Sequence, residues 1–244
     1  MNKGIIILGA PASGKSYLEE EIYNHLYNIK YKHEFRVNPD FYVEDEDSEF
    51  YNNPLAASSY VYKTIIPEII ELNSNFILQN TGANLKTLRK ITDTPNYQFK
   101  AMIVYCNPII AFIRNFSRQR KLPKQVLLET WLKVYSQIDD YINMFGKDNI
   151  YTYETEYTEQ EQKIIYDNNF NVSIKKYLSD CDVSSSFRKE HTTYTELQIQ
   201  EKQIKWDYLL GKIDNELWNI EKKLFDDYID KYKEEFIQDL KEWI

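Results

Sequence analysis

The chain is short of glycine, proline and cysteine. Only 6 Gly and 7 Pro occur among its 244 residues, so long flexible linkers are not expected. The two cysteines, Cys106 and Cys181, are far apart and form no metal or redox motif. Because Cys106 ends an apolar run, we expect it to be a buried thiol in a reducing cytosol.

Long hydrophobic runs and an excess of basic charge are missing as well. No apolar run approaches the length of a membrane span, and the first residues have the pattern of a strand rather than a signal peptide. We therefore expect a soluble cytoplasmic protein without a membrane partner. The net charge of −8 argues against extended, sequence-independent binding of nucleic acid, but it leaves room for a nucleic-acid end in a small basic pocket.

Residues 9–16 carry the most informative motif. They match G-x-x-x-x-G-K-[ST], after a β-branched apolar run and before a helical pattern. Glycines at both ends of the loop allow backbone N–H groups to point at an anion, and the helix dipole adds to that field. Lys15 is expected to reach the β- and γ-phosphates, and the Ser16 hydroxyl to bind Mg²⁺. The motif thus predicts that ATP and Mg²⁺ are bound by Gly9, Ala10, Pro11, Ala12, Ser13, Gly14, Lys15 and Ser16.

Strand and helix patterns alternate over the first 153 residues. This alternation predicts an α/β fold of the P-loop NTPase type, with a mostly parallel sheet and flanking helices. The predicted strands are residues 3–8, 34–38, 76–79, 99–105 and 150–153. The predicted helices are residues 16–29, 55–72, 85–91, 108–117 and 125–145. Pro67 should kink or divide the second helix.

The sequence pattern changes after residue 154, so residues 1–154 are predicted to form the kinase-type core. Residues 155–195 are predicted to be a helix, started by a capping box of Thr158 and Glu161, and then a mobile linker. Residues 196–244 are predicted to be an α-helical C-terminal extension with apolar residues spaced mostly four apart. We expect this extension to fold back on the domain, and a homodimer formed through it is the alternative.

Asp40 follows the second predicted strand and is the candidate general base. Ligands gather at the carboxyl ends of parallel strands, so this carboxylate should lie near the phosphate loop and accept a proton from a hydroxyl group. The alternative is that Asp40, after Pro39, only caps a turn or a helix. The third strand ends in Gln79-Asn80 and lacks the carboxylate of motors and switches, which favours a phosphotransferase.

A basic cluster surrounds the end of the helix predicted over residues 108–117. It consists of Arg114, Arg118, Arg120, Lys121 and Lys124. Arg114 and Arg118 are four residues apart, so a continuous helix would project both from one face. Guanidinium groups suit the spread charge of a phosphoryl group in transit and a lid that excludes water. The alternative is a solvated basic face.

With these motifs the chain resembles the P-loop kinases that include phage-type polynucleotide 5′-kinases and zeta-toxin-like kinases, and the first group is the better match. The resemblance covers about residues 1–150. It is carried by the phosphate loop, by Asn38-x-Asp40 at the family's general base, by Asn80-Thr81 where the family has Asp-Thr, by Arg114-Asn115 with Arg118 as a lid segment, and by Leu122-Pro123 before the next helix.

The resemblance implies ATP-dependent transfer of the γ-phosphate to a hydroxyl-bearing acceptor, in a phage-type protein acting in a host cytoplasm. The implied catalytic residues are Lys15, Asp40 and Arg118. We also expect Arg114 or Arg120 to assist at the phosphate, and we expect Ser16 and the Asn80 amide oxygen to contact Mg²⁺ or its water.

The acceptor stays open, because the chain departs from the family pattern. Val43 replaces an arginine that binds the acceptor's 3′ phosphate, acidic residues follow at 44–47, and Asn80 replaces an aspartate. A nucleoside, a hydroxyl of a modified base, a sugar nucleotide, another small alcohol and a polynucleotide 5′ end all remain as acceptors. Two other classes of protein also remain: a nucleotide-hydrolysing regulatory ATPase, and a non-catalytic module that acts through its C-terminal helix.

Overall fold

Five short apolar strands form one parallel sheet in the computed structural model, which describes residues 1–27, 35–118, 120–167 and 233–243. In the order β2-β3-β1-β4-β5, β1 is central because Leu8 aligns with Asn80 on one side and with Ile103 on the other. All carboxyl ends therefore open on one edge of the sheet. The strands are β1 Asn2–Leu8, β2 Phe35–Val37, β3 Phe76–Asn80, β4 Tyr97–Tyr105 and β5 Ile150–Glu154.

Helices connect the strands and flank the sheet. Several begin at an asparagine whose side chain accepts a hydrogen bond from the first helical turn; Asn38, Asn53, Asn84 and Asn107 each do so. The helices are α1 Lys15–Tyr27, α2 Pro39–Glu44, α3 Pro54–Tyr60, α4 Ile66–Glu71, α5 Leu85–Thr92, α6 Pro108–Ser117, α7 Lys124–Tyr135, α8 Ile138–Phe145, α9 Glu159–Asp167 and α10 Lys233–Trp243.

The sheet is buried on both faces, as β1 illustrates. Ile6 and Leu8 point to one face, where they join a cluster with residues of α4 to α8. Ile5 and Ile7 point to the other face, which is covered by Leu18 and Ile22 of α1 and by residues of α10. Helices on both faces of a parallel sheet explain why its strands are apolar throughout. The α/β fold predicted from the alternating pattern is confirmed.

Two long predicted helices are interrupted. The helix predicted over 125–145 is divided at Ser136 and Gln137 into α7 and α8. The helix predicted over 55–72 contains a π-helical turn, Val61–Ile65, directly before α4, whose first turn holds Pro67. Proline has no N–H to donate and crowds the preceding turn, and the wider π turn accommodates it.

The region after β5 is described only in part. The capping box is confirmed, because Thr158 N donates to Glu161 Oε2 at 2.8 Å and Glu161 N donates to Thr158 Oγ1 at 3.2 Å. Residues 168–232 lie outside the described residues, and with them the predicted linker and most of the predicted C-terminal helix. The predicted boundary after residue 154 stays a prediction. No helix in the described ranges is long and apolar enough to cross a membrane.

Helix α10 packs on the domain itself. Phe236 and Leu240 are fully buried against the sheet, and Phe236 lies 4.7 Å from the Tyr151 ring. Asp239 pairs with the buried Lys100 and accepts a hydrogen bond from the Tyr151 hydroxyl at 2.6 Å. Over residues 233–243 the apolar face of the extension is therefore covered by its own chain, as expected for an extension that folds back.

Replacement of Phe236 by alanine should lower the free energy of unfolding by about 3–5 kcal/mol, because it leaves a cavity between α10 and the sheet. The exposed Gln238 on the same helix is the matched control, and Gln238→Ala should change the value by less than about 0.5 kcal/mol. Urea denaturation followed by circular dichroism measures both. Equal midpoints for Phe236→Ala and the wild-type protein would show that α10 does not contribute to the fold.

Candidate active site

The phosphate loop joins β1 to α1, and two of its residues must be glycine. A Cβ on Gly9 would lie 2.5 Å from the Val104 carbonyl oxygen. Gly14 has φ +94°, and a Cβ there would lie 2.7 Å from Thr155 Oγ1. Ala12 also has a positive φ, 61°, which is costly for a residue with a side chain. Such conformations turn successive N–H groups inward and build an anion-binding cradle.

Aromatic residues of α7 hold the loop against the sheet. The Tyr135 hydroxyl donates to the Val104 carbonyl at 2.7 Å and accepts from Ala10 N at 3.3 Å. Trp131 Nε1 donates to the carbonyl of Cys106 at 2.8 Å. Burial raises the pKa of Tyr135, so its hydroxyl stays protonated and fixes the loop. Cys106 is a buried free thiol, as expected, and burial raises its pKa to about 12.

Lys15 lies over the loop, and its Nζ donates to the carbonyls of Gly9 at 2.9 Å and Ala10 at 2.7 Å. Burial, together with the nearby charge of Arg118, lowers the pKa of Lys15 to about 8. The carboxylate of Asp40 acts in the opposite direction. Lys15, Arg118 and Asp40 are therefore close enough to influence one another electrostatically.

Asp40 faces two arginines across the mouth of the loop. Its Oδ1 accepts from Arg120 Nη2 at 2.8 Å, and its Oδ2 lies 3.8 Å from Arg118 Nη2. The side chain of Asn38, not that of Asp40, caps α2, because Asn38 Oδ1 accepts from Asp40 N at 3.0 Å. Asp40 therefore does more than cap a turn: its carboxylate is directed toward the cationic residues.

Arg114 and Arg118 do not share a helix face, contrary to the expectation from their spacing. Helix α6 ends at Ser117, and Arg118 has an extended backbone with ψ 150°. The turn is closed by the buried Asn115, whose amide exchanges hydrogen bonds with the backbone of Leu122 at 2.9 and 3.0 Å. The chain therefore leaves the helix before Arg118 and carries that residue toward Asp40.

Arg114 instead braces the segment between β5 and α9. Its guanidinium forms a bidentate pair with Glu161 at 2.7 and 2.9 Å and donates to Thr155 Oγ1 at 3.0 Å. A further bond reaches the Glu156 carbonyl at 2.7 Å. A contact between Arg114 and a phosphate would require this ion pair to open, so the contact expected from the sequence stays a prediction.

A buried network that the sequence patterns did not reveal lies behind Ser16. The Ser16 hydroxyl donates to Gln79 Oε1 at 3.3 Å, and Gln79 Nε2 donates to Glu19 Oε2 at 3.0 Å. Glu19 is 2 % exposed and forms a bidentate pair with Arg36. Glu19 follows Ser16 by three residues on α1, which places both on one side of the helix, and this spacing was the available signal.

Asn80, the predicted metal contact, points away from Gln79 because successive strand residues face opposite sides. Its Nδ2 donates to the Tyr62 hydroxyl, and its Oδ1 accepts from Gly82 N. Its role at a metal stays a prediction. In the part of the chain that the structure describes, no group of three or more His, Cys, Asp and Glu side chains is arranged to hold a metal ion.

These residues line one cleft of about 1320 Å³ at the carboxyl edge of the sheet. The cleft brings together the phosphate loop, Asp40, Arg118 and Arg120, and its wall also includes Asn80 and Arg114. Two buried polar atoms near its floor, Ser13 Oγ and Arg120 Nη1, have no hydrogen-bond partner among the described residues. Unsatisfied donors of this kind mark a place for ligand oxygens.

The parallel sheet, the central β1 and the loop from β1 into α1 define a P-loop NTPase-type α/β fold. No protein-family model matches the sequence, and no curated protein matches it.

The chain is similar to solved structures, among them the following three. One belongs to the PezAT chromosomal toxin–antitoxin system of Streptococcus pneumoniae, with a TM-score of 0.47 and 10 % identity over 74 % of this chain and 88 % of that chain. Another is a shikimate kinase from Acinetobacter baumannii, with a TM-score of 0.40 and 11 % identity over 74 % and 96 % of the two chains. The third is a gluconokinase from Sinorhizobium meliloti, with a TM-score of 0.39 and 11 % identity over 73 % and 97 %.

Lys15 should titrate near pH 8 in the free protein, and its two charged neighbours should move that value in opposite directions. Asp40→Asn should lower the pKa of Lys15 because a stabilising negative charge is lost, whereas Arg118→Ala should raise it. NMR of protein labelled at lysine ¹³Cε measures the pKa, and Lys15→Met assigns the signal.

The same depressed pKa has a consequence for stability. Between pH 8 and the ordinary value of 10.5 the unfolded chain holds this proton and the folded chain does not. The Lys15 contribution to the free energy of unfolding should therefore increase with pH across that window. A Lys15 signal that titrates near 10.5 in all three proteins would contradict the described burial and charge arrangement.

Proposed function

We propose that this chain is a kinase that transfers the γ-phosphate of ATP to a hydroxyl group. The observation that carries the proposal is the convergence of Asp40, Arg118 and Arg120 on the mouth of the phosphate loop. A loop that only binds or hydrolyses nucleotide has no need for a carboxylate at the end of β2. A kinase needs one there to accept the proton of the attacking hydroxyl.

The donor side fits ATP. The inward-turned N–H groups of the loop would donate hydrogen bonds to phosphate oxygens. Ser13 Oγ, which has no partner in the part of the chain that the structure describes, lies within the same loop. Lys15 now donates to two loop carbonyls and would exchange them for phosphate oxygens. A phosphate beside Lys15 favours its charged form, so ATP binding should be accompanied by proton uptake above pH 8.

The Ser16 hydroxyl fits Mg²⁺. Its proton is directed to Gln79, so its oxygen lone pairs remain for a cation. Glu19 and Arg36 fix the Gln79 amide in that orientation from behind. Mg²⁺, when bound, would neutralise charge on the transferring phosphate. Gln79 and Glu19 would then act as positioning residues for Ser16.

The acceptor side combines a base with two cations. Asp40 is proposed to accept the proton of the acceptor hydroxyl. Arg120 is proposed to orient the Asp40 carboxylate through the 2.8 Å contact. Arg118 is held more loosely, at 3.8 Å from Asp40, and is proposed to stabilise the negative charge of the phosphoryl group in transit. Arg120 Nη1, which is buried and has no partner among the described residues, offers one more donor to the phosphoryl oxygens.

Incubation with γ-labelled ATP and a panel of hydroxyl compounds tests the class of reaction. The panel should contain nucleosides, sugars, sugar nucleotides, hydroxymethylated DNA and oligonucleotide 5′ ends. A labelled acceptor identifies a kinase, free phosphate alone identifies a hydrolase, and neither product identifies a non-catalytic module.

Asp40→Asn should reduce kcat by ~10²–10⁴-fold and leave ATP affinity unchanged, because the base acts on the acceptor and not on the nucleotide. Asp140→Asn is the matched control. It also removes a carboxylate paired with an arginine, Arg89, at 3.2 Å, but outside the cleft. Steady-state kinetics with the acceptor found above measure kcat, and calorimetry measures ATP binding. A kcat within twofold of wild type for Asp40→Asn would exclude it as the base.

Arg118→Ala should lower kcat by ~10²-fold or more, and Arg118→Lys should restore little of it because a lysine lacks the planar fork. The exposed Arg89 supplies the control, since Arg89→Ala removes a guanidinium from an acidic partner elsewhere. Single-turnover rates at saturating ATP separate this effect from nucleotide binding. Full activity in Arg118→Lys alone would show that a positive charge is sufficient at this position. Full activity in Arg118→Ala as well would show that no contact with the phosphoryl group is required.

A further inference from the structure

The two flanks of the cleft differ in charge. On the flank of β4 and β5, the wall carries several basic and acidic side chains, among them Arg114, Glu156, Glu161 and Lys233. On the flank of β2 and β3, the wall consists of hydroxyl and amide groups from Ser58, Tyr62, Asn80, Thr81, Asn84 and Thr87. Asp40 is the only ionised side chain contributed to this second wall by the described residues of β2, β3 and their connections.

Neutral hydrogen-bond donors remain available on that wall. The Tyr62 oxygen accepts from Asn80 Nδ2, and its own proton has no acceptor among the described residues. Burial raises the pKa of Tyr62 to about 12, so the hydroxyl keeps this proton. The Asn84 carbonyl oxygen caps α5 by accepting from Thr87 N at 3.2 Å, which leaves the Asn84 amide N–H groups for a ligand.

Among the described residues, an anionic group of an acceptor on this wall would find no cation contributed by β2, β3 or their connections. Arg118 and Arg120 both face Asp40 and are the cations proposed for the transferring phosphate. Val43 of α2 is 1 % exposed and lies in the core. An anion held on this wall beside the Asp40 carboxylate, without a cation to pair with, is disfavoured by charge repulsion.

We propose that the acceptor is an uncharged, hydroxyl-rich small molecule of the nucleoside or free-sugar class, bound by neutral hydrogen bonds from Tyr62 and Asn84. This inference rests on the proposed kinase function and adds the chemical class of its acceptor. The reaction forms a bond between the acceptor oxygen and the γ-phosphorus and breaks the bond to the β–γ bridging oxygen. The acceptor proton passes to Asp40, and ADP leaves with the electron pair of the broken bond.

Matched pairs of acceptors test the class. Each pair contains an uncharged compound and its phosphorylated form: a nucleoside with its 3′-monophosphate, and a sugar with its phosphate. With γ-labelled ATP, kcat/KM should be at least tenfold higher for the uncharged member and should vary little between 50 and 200 mM salt. A plain 5′-hydroxyl oligonucleotide is the third arm, and its affinity would fall steeply with salt because binding releases counterions.

The outcomes separate this proposal from the kinase function. Preferential labelling of the phosphorylated members, or efficient labelling of the oligonucleotide with a steep salt dependence, would overturn the uncharged class and leave the kinase function intact. Free labelled phosphate with no labelled acceptor would overturn the kinase function, and this proposal with it.

Variants of the neutral wall provide the second test. Tyr62→Phe should raise the acceptor KM about three- to tenfold, through the loss of one neutral hydrogen bond, and leave the ATP KM unchanged. Tyr60→Phe is the control, because Tyr60 stacks on Phe50 at 4.7 Å and lies outside the cleft. Thr87→Lys adds a cation to the wall and should shift the preference toward the phosphorylated member. An unchanged acceptor KM in Tyr62→Phe and an unchanged preference in Thr87→Lys would together contradict the assignment of this wall.

Discussion

The pairing of β1 between β3 and β4 is the constraint on which the site depends. It places the ends of the central strands at one level, with Leu8 aligned to Asn80 and Ile103. The phosphate loop then begins within reach of the side chains that follow β2 and β3. Because Gly9 lies against the carbonyl of Val104, no Cβ fits between the two backbones. The loop conformation is thus set by the neighbouring strand as well as by its own sequence.

Charge balance within the cleft follows from this geometry. Lys15, Arg118 and Asp40 lie close together. Two loop carbonyls accept hydrogen bonds from Lys15, and Arg120 donates one to Asp40. Lys15 is held by two loop carbonyls at 2.9 and 2.7 Å, whereas Arg118 lies 3.8 Å from its carboxylate partner, beyond hydrogen-bond distance. The pair of Arg114 with Glu161 is bidentate and serves the scaffold instead.

The fold and the phosphate loop could be predicted from sequence because both depend on local patterns, namely alternating periodicities and glycine spacing. The contacts of individual side chains could not. Whether Gln79 or Asn80 contacts Ser16 depends on the face of the sheet to which each side chain points at the end of β3. The directions of Arg114 and Arg118 depend on where Asn115 ends α6. Tertiary hydrogen bonds decide both points, and no sequence periodicity records them.

The C-terminal helix shows that a change of composition does not reveal which segments share a core. A change of composition after residue 154 indicates a boundary, yet Phe236 and Leu240 complete the core on the α1 face of the sheet. Lys233 lies between Glu21 of α1 and Glu156 after β5, at 3.1 and 3.5 Å. Contacts of this exposed kind contribute little energy, so the apolar contacts of Phe236 and Leu240 dominate the docking. Lys233 nevertheless lines the charged flank of the cleft. Whatever binds on that flank therefore meets a side chain from residues 233–243, so this segment belongs physically to the site.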